Sequence, residues 1–168
     1  QFSFSATVEA SESVSGRRTI AAKQESWRLD LRRDDRRIEL TLWDHDRDRT
    51  AVLVSLDPLP DNPTRVTFTV FGWTRKQRLR PEPENLIAKP TSVRLYFGKQ
   101  LQADNLTDLH TLRASGNPIT LGGTRSTPLQ ARFQGILSDL RMHVASLSVL
   151  DLEALDPQPA AEPIGISK

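Results

Sequence analysis

The chain has 168 residues, no cysteine, and 23 basic against 21 acidic side chains. This length suits one domain, and a hydrophobic fraction of 37% is enough for the interior of a two-sheet sandwich. The lack of cysteine excludes disulfides, cysteine-ligated zinc, iron–sulfur clusters and a cysteine nucleophile, and the balanced charge argues against nucleic-acid binding. No apolar run approaches the roughly 20 residues that a membrane-spanning helix needs.

Apolar and polar residues alternate with a period of two along much of the chain, which predicts β-strands. The first strand runs from Phe2 to Val8. The next two, Trp27 to Leu31 and Ile38 to Leu42, flank a polar turn at Asp34-Asp35, so residues 27 to 43 are predicted to form a β-hairpin. Further strands are predicted near residues 52–56, 66–70, 93–97, 119–121 and 140–144. Their apolar faces include Val52, Val54 and Leu56 in one strand and Leu140, Met142 and Val144 in another.

Only one short segment has a helical pattern. It runs from Ser148, a suitable N-cap, to Leu155. Many short strands separated by proline-containing loops favour two packed antiparallel sheets over a βαβ architecture. We therefore predict an all-β sandwich over residues 1–155 with one short C-terminal helix, followed by an extended tail at residues 156–168, which are rich in proline and alanine.

The C-terminal part contains the most specific motifs of the chain. A strand from Pro118 ends in the paired glycines Gly122-Gly123, and Phe133-Gln134-Gly135 follows as a phenylalanine–glycine turn. The next strand carries Asp139 and Arg141, and the pair Leu147-Ser148 opens the helix. This arrangement resembles the closing strands of laminin G-like domains in the concanavalin A-like lectin–glucanase superfamily. The resemblance implies a jelly-roll sandwich that binds carbohydrate, protein or calcium, often as an accessory module outside the cytoplasm.

One loop segment combines an aromatic side chain with four cations. It contains Trp73, Arg75, Lys76, Arg78 and Arg80. The surrounding connection, residues 72–92, is longer than the resemblance implies, and long loops on a rigid scaffold often carry binding sites. Charge combined with stacking suits an acidic protein, an anionic lipid surface or an acidic glycan. The alternative is an irregular connection whose tryptophan packs on the sandwich.

A second candidate site follows the third strand. We expect Trp27 and Trp43 to shape the sandwich rather than to form a sugar platform. Trp43 is nevertheless out of phase with Leu40 and Leu42, and an exposed indole there would suit a glycan. Asp44, Asp46 and Asp48 alternate directly after it, and oxygen ligands at this spacing suit calcium. Arg49 stands where a helical calcium loop has glycine, so a solvated polar turn is the alternative.

The predicted function is binding without catalysis. No strand carries the alternating acidic residues of glycoside hydrolysis, and no serine lies in a nucleophile elbow. The main hypothesis is a non-catalytic interaction or scaffolding module: an accessory subunit or exported domain, periplasmic, on the cell envelope or secreted, that contacts a protein partner. The alternative is a carbohydrate-binding module, with calcium as its one candidate cofactor. Neither nucleic acid nor a membrane span is expected.

Overall fold

The computed structural model describes residues 1–11, 18–44, 50–71, 91–107, 109, 116–123 and 132–155. The strands are β1 (Phe2–Ala10), β2 (Arg18–Lys23), β3 (Trp27–Leu31), β4 (Arg37–Trp43), β5 (Thr50–Pro58), β6 (Thr64–Phe71), β7 (Thr91–Phe97), β8 (Gln100–Thr107), β9 (Ile119–Leu121) and β10 (Gly135–His143). The helix α1 spans Val149–Leu155. Sheet A has the strand order β10-β1-β6-β7-β8, and sheet B has the order β5-β4-β3-β2-β9.

The predicted fold class is confirmed: the described chain is a two-sheet antiparallel jelly-roll sandwich with one short C-terminal helix. The predicted hairpin is also present, because β3 and β4 pair with Leu29 opposite Leu40. Their turn is closed by the Arg32 amide, which donates to the Arg37 carbonyl over 2.8 Å, and Asp35 accepts from the Arg37 amide.

Aromatic side chains join the two sheets at the centre of the core. Trp27 of sheet B is 1% exposed, and its ring centroid lies 5.2 Å from that of Phe4 and 5.1 Å from that of Phe68, both in sheet A. Tilted and edge-on arrangements at these distances are favourable for aromatic pairs. Trp27 therefore shapes the sandwich, as its phase in β3 predicts.

The phase predicted for β5 is wrong. Val52 is 49% exposed and Leu56 is 68% exposed, whereas Leu53 is 3% exposed and belongs to the core. The segment is apolar in both phases, so alternation alone does not identify the buried face. Pairing decides it: Leu53 lies opposite the buried Leu40 of β4, and opposed residues point to the same side of a sheet.

The burial predicted for the apolar side chains of the C-terminal strand is also wrong. Leu140 and Met142 are 39% and 46% exposed, and Val144, which lies beyond the end of β10, is 92% exposed. Two features account for this: β10 is the edge of sheet A, and the β1–β10 register shifts where Asp139 adopts a φ of 46°. The bulge interrupts the pairing at Leu140, whereas Met142 lies opposite the buried Phe4 and points to the core side, so its exposure comes from its position at the sheet edge.

Helix α1 lies on the outer face of sheet A. The Ser3 hydroxyl, on that face, donates to the Ala145 carbonyl over 2.7 Å and accepts from the Leu147 amide over 3.0 Å. Farther along, Glu153 pairs with Lys99 in the β7–β8 turn at 3.5 Å. Leu152 is fully buried, although it lies outside the core between the sheets. In the described part of the chain, no helix has the length and apolarity to cross a bilayer.

Candidate functional site

Most of the site residues predicted from sequence fall outside the described residues. This holds for Trp73, Arg75, Lys76, Arg78 and Arg80 of the loop, for Asp46 and Asp48 of the aspartate series, and for the tail. Trp43 and Asp44 are described. Asp44 is 2% exposed, and within the described ranges no group of three or more histidine and acidic residues is placed to hold a metal ion. The calcium prediction stays a prediction.

Trp43 lies in a cluster on the outer face of sheet B, which we call the hairpin face. Leu29, Leu31, Ile38, Leu40 and Leu42 of the β3–β4 hairpin all point into the core. Since side chains alternate along a strand, the intervening residues point to the other side. The hairpin face therefore comprises Arg28, Asp30, Glu39, Thr41 and Trp43.

Two interactions position Arg28 on the hairpin face, one with Asp30 and one with Trp43. Its Nε donates to Asp30 Oδ2 over 2.7 Å, and its Cζ lies 5.8 Å from the centroid of the Trp43 ring. A guanidinium within about 6 Å of an indole ring is attracted by it. The Arg28 side chain is 34% exposed and Trp43 is half-buried, so both are accessible at the surface. The result is a positioned guanidinium beside an aromatic ring.

The floor of the hairpin face is polar but buried. Asp30 is fully buried, and Glu39 and Thr41 are each 6% exposed. Asp30 lies directly opposite Glu39 in the β3–β4 register, and Arg28 lies opposite Thr41. Like charges directly opposite each other in a sheet are unfavourable unless other contacts compensate them, and both carboxylates have further interaction partners. The floor is therefore a buried polar layer beside Arg28 and Trp43.

The two adjacent carboxylates invite comparison with a glycosidase pair. Glycoside hydrolysis needs one carboxyl group as acid and another as base or nucleophile, both in contact with the sugar. Here Asp30 has no exposed surface and is engaged by Arg28. The geometry therefore suits binding better than bond cleavage.

An open cleft of about 440 Å³ lies at one edge of the sandwich. Its walls come from the edge strands, with Thr50 and Val52 on β5 and Leu106 on β8. Thr50 lies opposite Trp43, and Val52 lies opposite Thr41. The cleft residues of β5 are therefore next to the hairpin face in the sheet, although Trp43 does not line the cleft.

The sequence analysis names Trp43 as a candidate but does not name its neighbours on the hairpin face. Arg28, Asp30 and Glu39 were recognisable only as outward positions of a hairpin. The missing information was the register, because only the pairing of Asp30 with Glu39 shows that residues nine apart in sequence meet. The length of the polar turn between the strands was the one available signal, since it limits the possible registers.

No family model matches the chain, and a search of curated proteins found no match. Its fold is similar to that of several solved structures. The CBM40 module of the Ruminococcus gnavus IT-sialidase, bound to α2,3-sialyllactose, aligns with a TM-score of 0.60 and 14% identity over 92% of this chain and 82% of that chain. Domain 4 of AbnA, an extracellular GH43 arabinanase from Geobacillus stearothermophilus, in complex with arabinotriose, gives 0.60 and 17% over 92% and 66%.

A third structure, from Bacteroides ovatus and provisionally assigned as a carbohydrate-binding protein, has a TM-score of 0.64 and 12% identity. The alignment covers 90% of this chain and 39% of that one, so the chain spans well under half of that protein. At these identities the similarity shows the fold, which is that of β-sandwich binding modules, and leaves the ligand open.

Proposed function

We propose that the chain is a non-catalytic carbohydrate-binding module and that the hairpin face is its glycan site. The observation that carries this proposal is the Arg28 guanidinium, fixed by Asp30 at 2.7 Å and lying beside the Trp43 ring. A sugar ring presents an apolar face that packs on an indole and hydroxyl groups that bond to planar polar side chains. Here the β3–β4 hairpin supplies both the indole, from Trp43, and the planar polar group, from Arg28.

The fold supports the same proposal. The similar solved structures include two sugar-bound modules, although fold alone does not select a ligand. We further propose that the module belongs to the laminin G-like branch of concanavalin A-like sandwiches, on the motifs around Gly135 and Asp139. An extracytoplasmic location follows from that resemblance. Calcium at Asp44, Asp46 and Asp48 would be an accessory to the same site, since Asp44 directly follows Trp43.

The test compares three variants of the full chain for binding to a glycan array. Trp43→Ala and Arg28→Met each remove one of the two accessible groups, and we expect each to weaken binding at least about tenfold, as for central residues of an interface. Arg94→Met is the matched control, because Arg94 also pairs through Nε with an aspartate, Asp104, at 3.2 Å, but on the other sheet. Equal loss in all three variants, or no loss in the first two, would reject the hairpin face as the site.

Contact with a protein partner is the second candidate function, and one observation favours it. Edge strand β10 exposes Ile136 at 60%, together with Leu140 and Met142. An edge strand with apolar side chains can accept a strand or apolar surface from another protein. The chain would then act as an accessory subunit.

This second function is tested by gentle isolation from the native source, followed by size determination and mass spectrometry. A protein that co-isolates in fixed ratio, and is lost in Ile136→Lys but retained in Arg28→Met, supports it. A free monomer with glycan affinity contradicts it.

A further inference from the structure

Three partly exposed arginines follow one another along the outer side of the β3–β4 hairpin. The exposed fraction of the side chain is 34% for Arg28, 38% for Arg32 and 42% for Arg37. Arg28 belongs to the hairpin face, and by strand alternation Arg32 and Arg37 continue that face toward the turn. The Arg32 amide donates to the Arg37 carbonyl over 2.8 Å, so these two residues lie opposite each other. We call the three residues the arginine row.

Three carboxylates lie among these arginines, but only one of the three is accessible. Asp30 is fully buried, Glu39 is 6% exposed, and both have further interaction partners. The side chain of Asp35 is 34% exposed and lies 3.5 Å from Arg32 Nε and 3.8 Å from Arg37 Nε, at or beyond the limit of a hydrogen bond. Asp35 also accepts from the Arg37 amide at 3.2 Å. The accessible charge along the row is therefore mainly positive.

The guanidinium groups of the row offer donors at two separate positions. The hydrogen bond from Arg28 to Asp30 is made by Nε, and a guanidinium carries five N–H groups, so most of its donors lie outside that bond. Paired N–H groups of a guanidinium match the two oxygens of a carboxylate. Arg28 and Arg32 are four residues apart in an extended segment, which separates their Cα atoms by about 13 Å. One cationic position is thus beside Trp43, and the other is the Arg32–Arg37 pair near the turn.

We infer that the arginine row makes the hairpin face selective for acidic oligosaccharides that carry a carboxylate on more than one sugar; this inference rests on the proposed function of the same site. One sugar packs on Trp43 and its carboxylate accepts from Arg28, while a carboxylate farther along the glycan accepts from Arg32 and Arg37. Hydrogen bonds between two charged groups are roughly twice as strong as those between neutral groups. The ligand class is therefore an oligosaccharide that contains uronic acids.

The experiment measures binding of the full chain to a glycan array before and after methyl esterification of the carboxyl groups, which removes their charge and keeps the sugar backbone. We expect oligouronides to bind and their affinity to fall at least about tenfold after esterification. Affinity for the acidic form should also decrease as ionic strength increases. Glycan binding that Trp43→Ala weakens, but that neither esterification nor salt changes, would overturn the inference and leave the proposed function standing. Binding to no glycan would reject the proposed function itself.

Competition with poly-glutamate tests whether charge alone is sufficient. This peptide carries carboxylates but has no sugar ring to pack on Trp43, so we expect it to displace a bound oligouronide at least about tenfold less effectively than the free oligouronide does. Equal displacement would show that the row binds polyanions in general, which would overturn the inference.

The double substitution Arg32→Gln with Arg37→Gln removes the cationic position that is remote from Trp43. We expect the preference for the acidic over the esterified glycan to fall about tenfold. Arg36→Gln is the matched control, because Arg36 belongs to the same turn but pairs with Asp61 at 3.0 Å, and the preference should stay within about twofold of the native value. An unchanged preference in the folded double variant, or an equal fall in the control, would contradict the inference. The esterification and salt measurements on the native protein test it whether or not the double variant folds.

Discussion

The outer faces of the two sheets are both lined by polar side chains, but they differ in how far these side chains are exposed to solvent. On sheet A, Ser5 and Thr67 are fully buried, with Thr67 donating to the Ser5 hydroxyl over 3.0 Å and Arg65 donating to the same oxygen over 3.2 Å. Arg65, 5% exposed at its side chain, also pairs with Asp139 of β10. Hydrogen bonds and an ion pair within the chain therefore engage the polar groups of this face, which are buried.

On sheet B, Arg28 is fixed in a similar way by a carboxylate but remains 34% exposed beside the half-buried Trp43. The comparison shows that a polar outward face can be either buried by the chain itself or left accessible. What distinguishes the hairpin face is a positioned charge and an aromatic ring that stay accessible, whereas the equivalent groups on sheet A are used for the stability of the fold.

The largest effect that we expect is on the free energy of unfolding, when the packing of α1 on the outer face of sheet A is weakened. Leu152→Ala removes a fully buried side chain, and such truncations cost about 2–5 kcal/mol of unfolding free energy. Leu150→Ala is the matched control, because Leu150 lies in the same helix but is 76% exposed and should change stability by less than about 0.5 kcal/mol. Denaturant unfolding measures both. Equal effects would show that α1 does not close sheet A, and a loss of glycan binding in folded Leu152→Ala would break the division between the two faces.

A smaller effect is expected at Asp139. Hydrogen bonds from Arg141, at 2.7 and 3.1 Å, and from Arg65 lower the pKa of this carboxyl group below its usual range. Asp139→Asn leaves the nearly buried Arg65 without its charged partner and should cost about 1–2 kcal/mol at neutral pH, allowing for the partial exposure of Asp139.

The pH dependence follows from the direction of that shift. The contribution of Asp139 is complete above the unfolded-state pKa of about 3.9 and is lost as the pH falls through the lowered folded-state value. The stability difference between native protein and Asp139→Asn should therefore shrink below about pH 4. Asp104→Asn, in an exposed pair with Arg94, is the control, with little change expected at any pH. A difference that persists undiminished at acid pH would contradict the assignment.

Much of the fold could be predicted from the sequence because alternation, turns and the N-cap are local signals. β1, the β3–β4 hairpin, β6, β7 and α1 were all predictable in this way. β2 was not, since its sequence RTIAAK is dominated by small residues and is buried at nearly every position. β8 was not either, because as the edge of sheet A it is polar on both sides.

The candidate site was less predictable because it depends on pairing between strands. Gly135 illustrates what a motif can still convey: a Cβ there would lie 2.1 Å from the Glu9 carbonyl oxygen, and its φ is +148°. Glycine is thus required where β10 joins β1, and the phenylalanine–glycine resemblance marks this constraint. In contrast, neither strand has a local sequence motif that reveals the register in which Asp30 lies opposite Glu39.

The smallest effect on the free energy of unfolding is expected at the start of α1, where the sequence predicts Ser148 as the N-cap. The Ser148 hydroxyl accepts from the Asp151 amide at 3.3 Å, and Asp151 accepts in return from the Ser148 amide at 2.7 Å, which is a reciprocal cap. Hydrogen bonds from Ser148 lower the pKa of the Asp151 carboxyl group, with a minor contribution from His143.

Ser148→Ala should cost about 1 kcal/mol, less than Leu152→Ala, because the cap orders the first turn while Leu152 still fixes the helix on sheet A. Ser148→Thr retains the hydroxyl and is the control, expected to stay close to the native stability. Thermal unfolding distinguishes the two variants, and a glycan-binding measurement on each tests the separation of the faces. If Ser148→Ala lowered affinity at 25 °C, where the protein stays folded, α1 and the hairpin face would be coupled across the sandwich, and the contrast between a closed and an accessible face would have to be replaced by one continuous site.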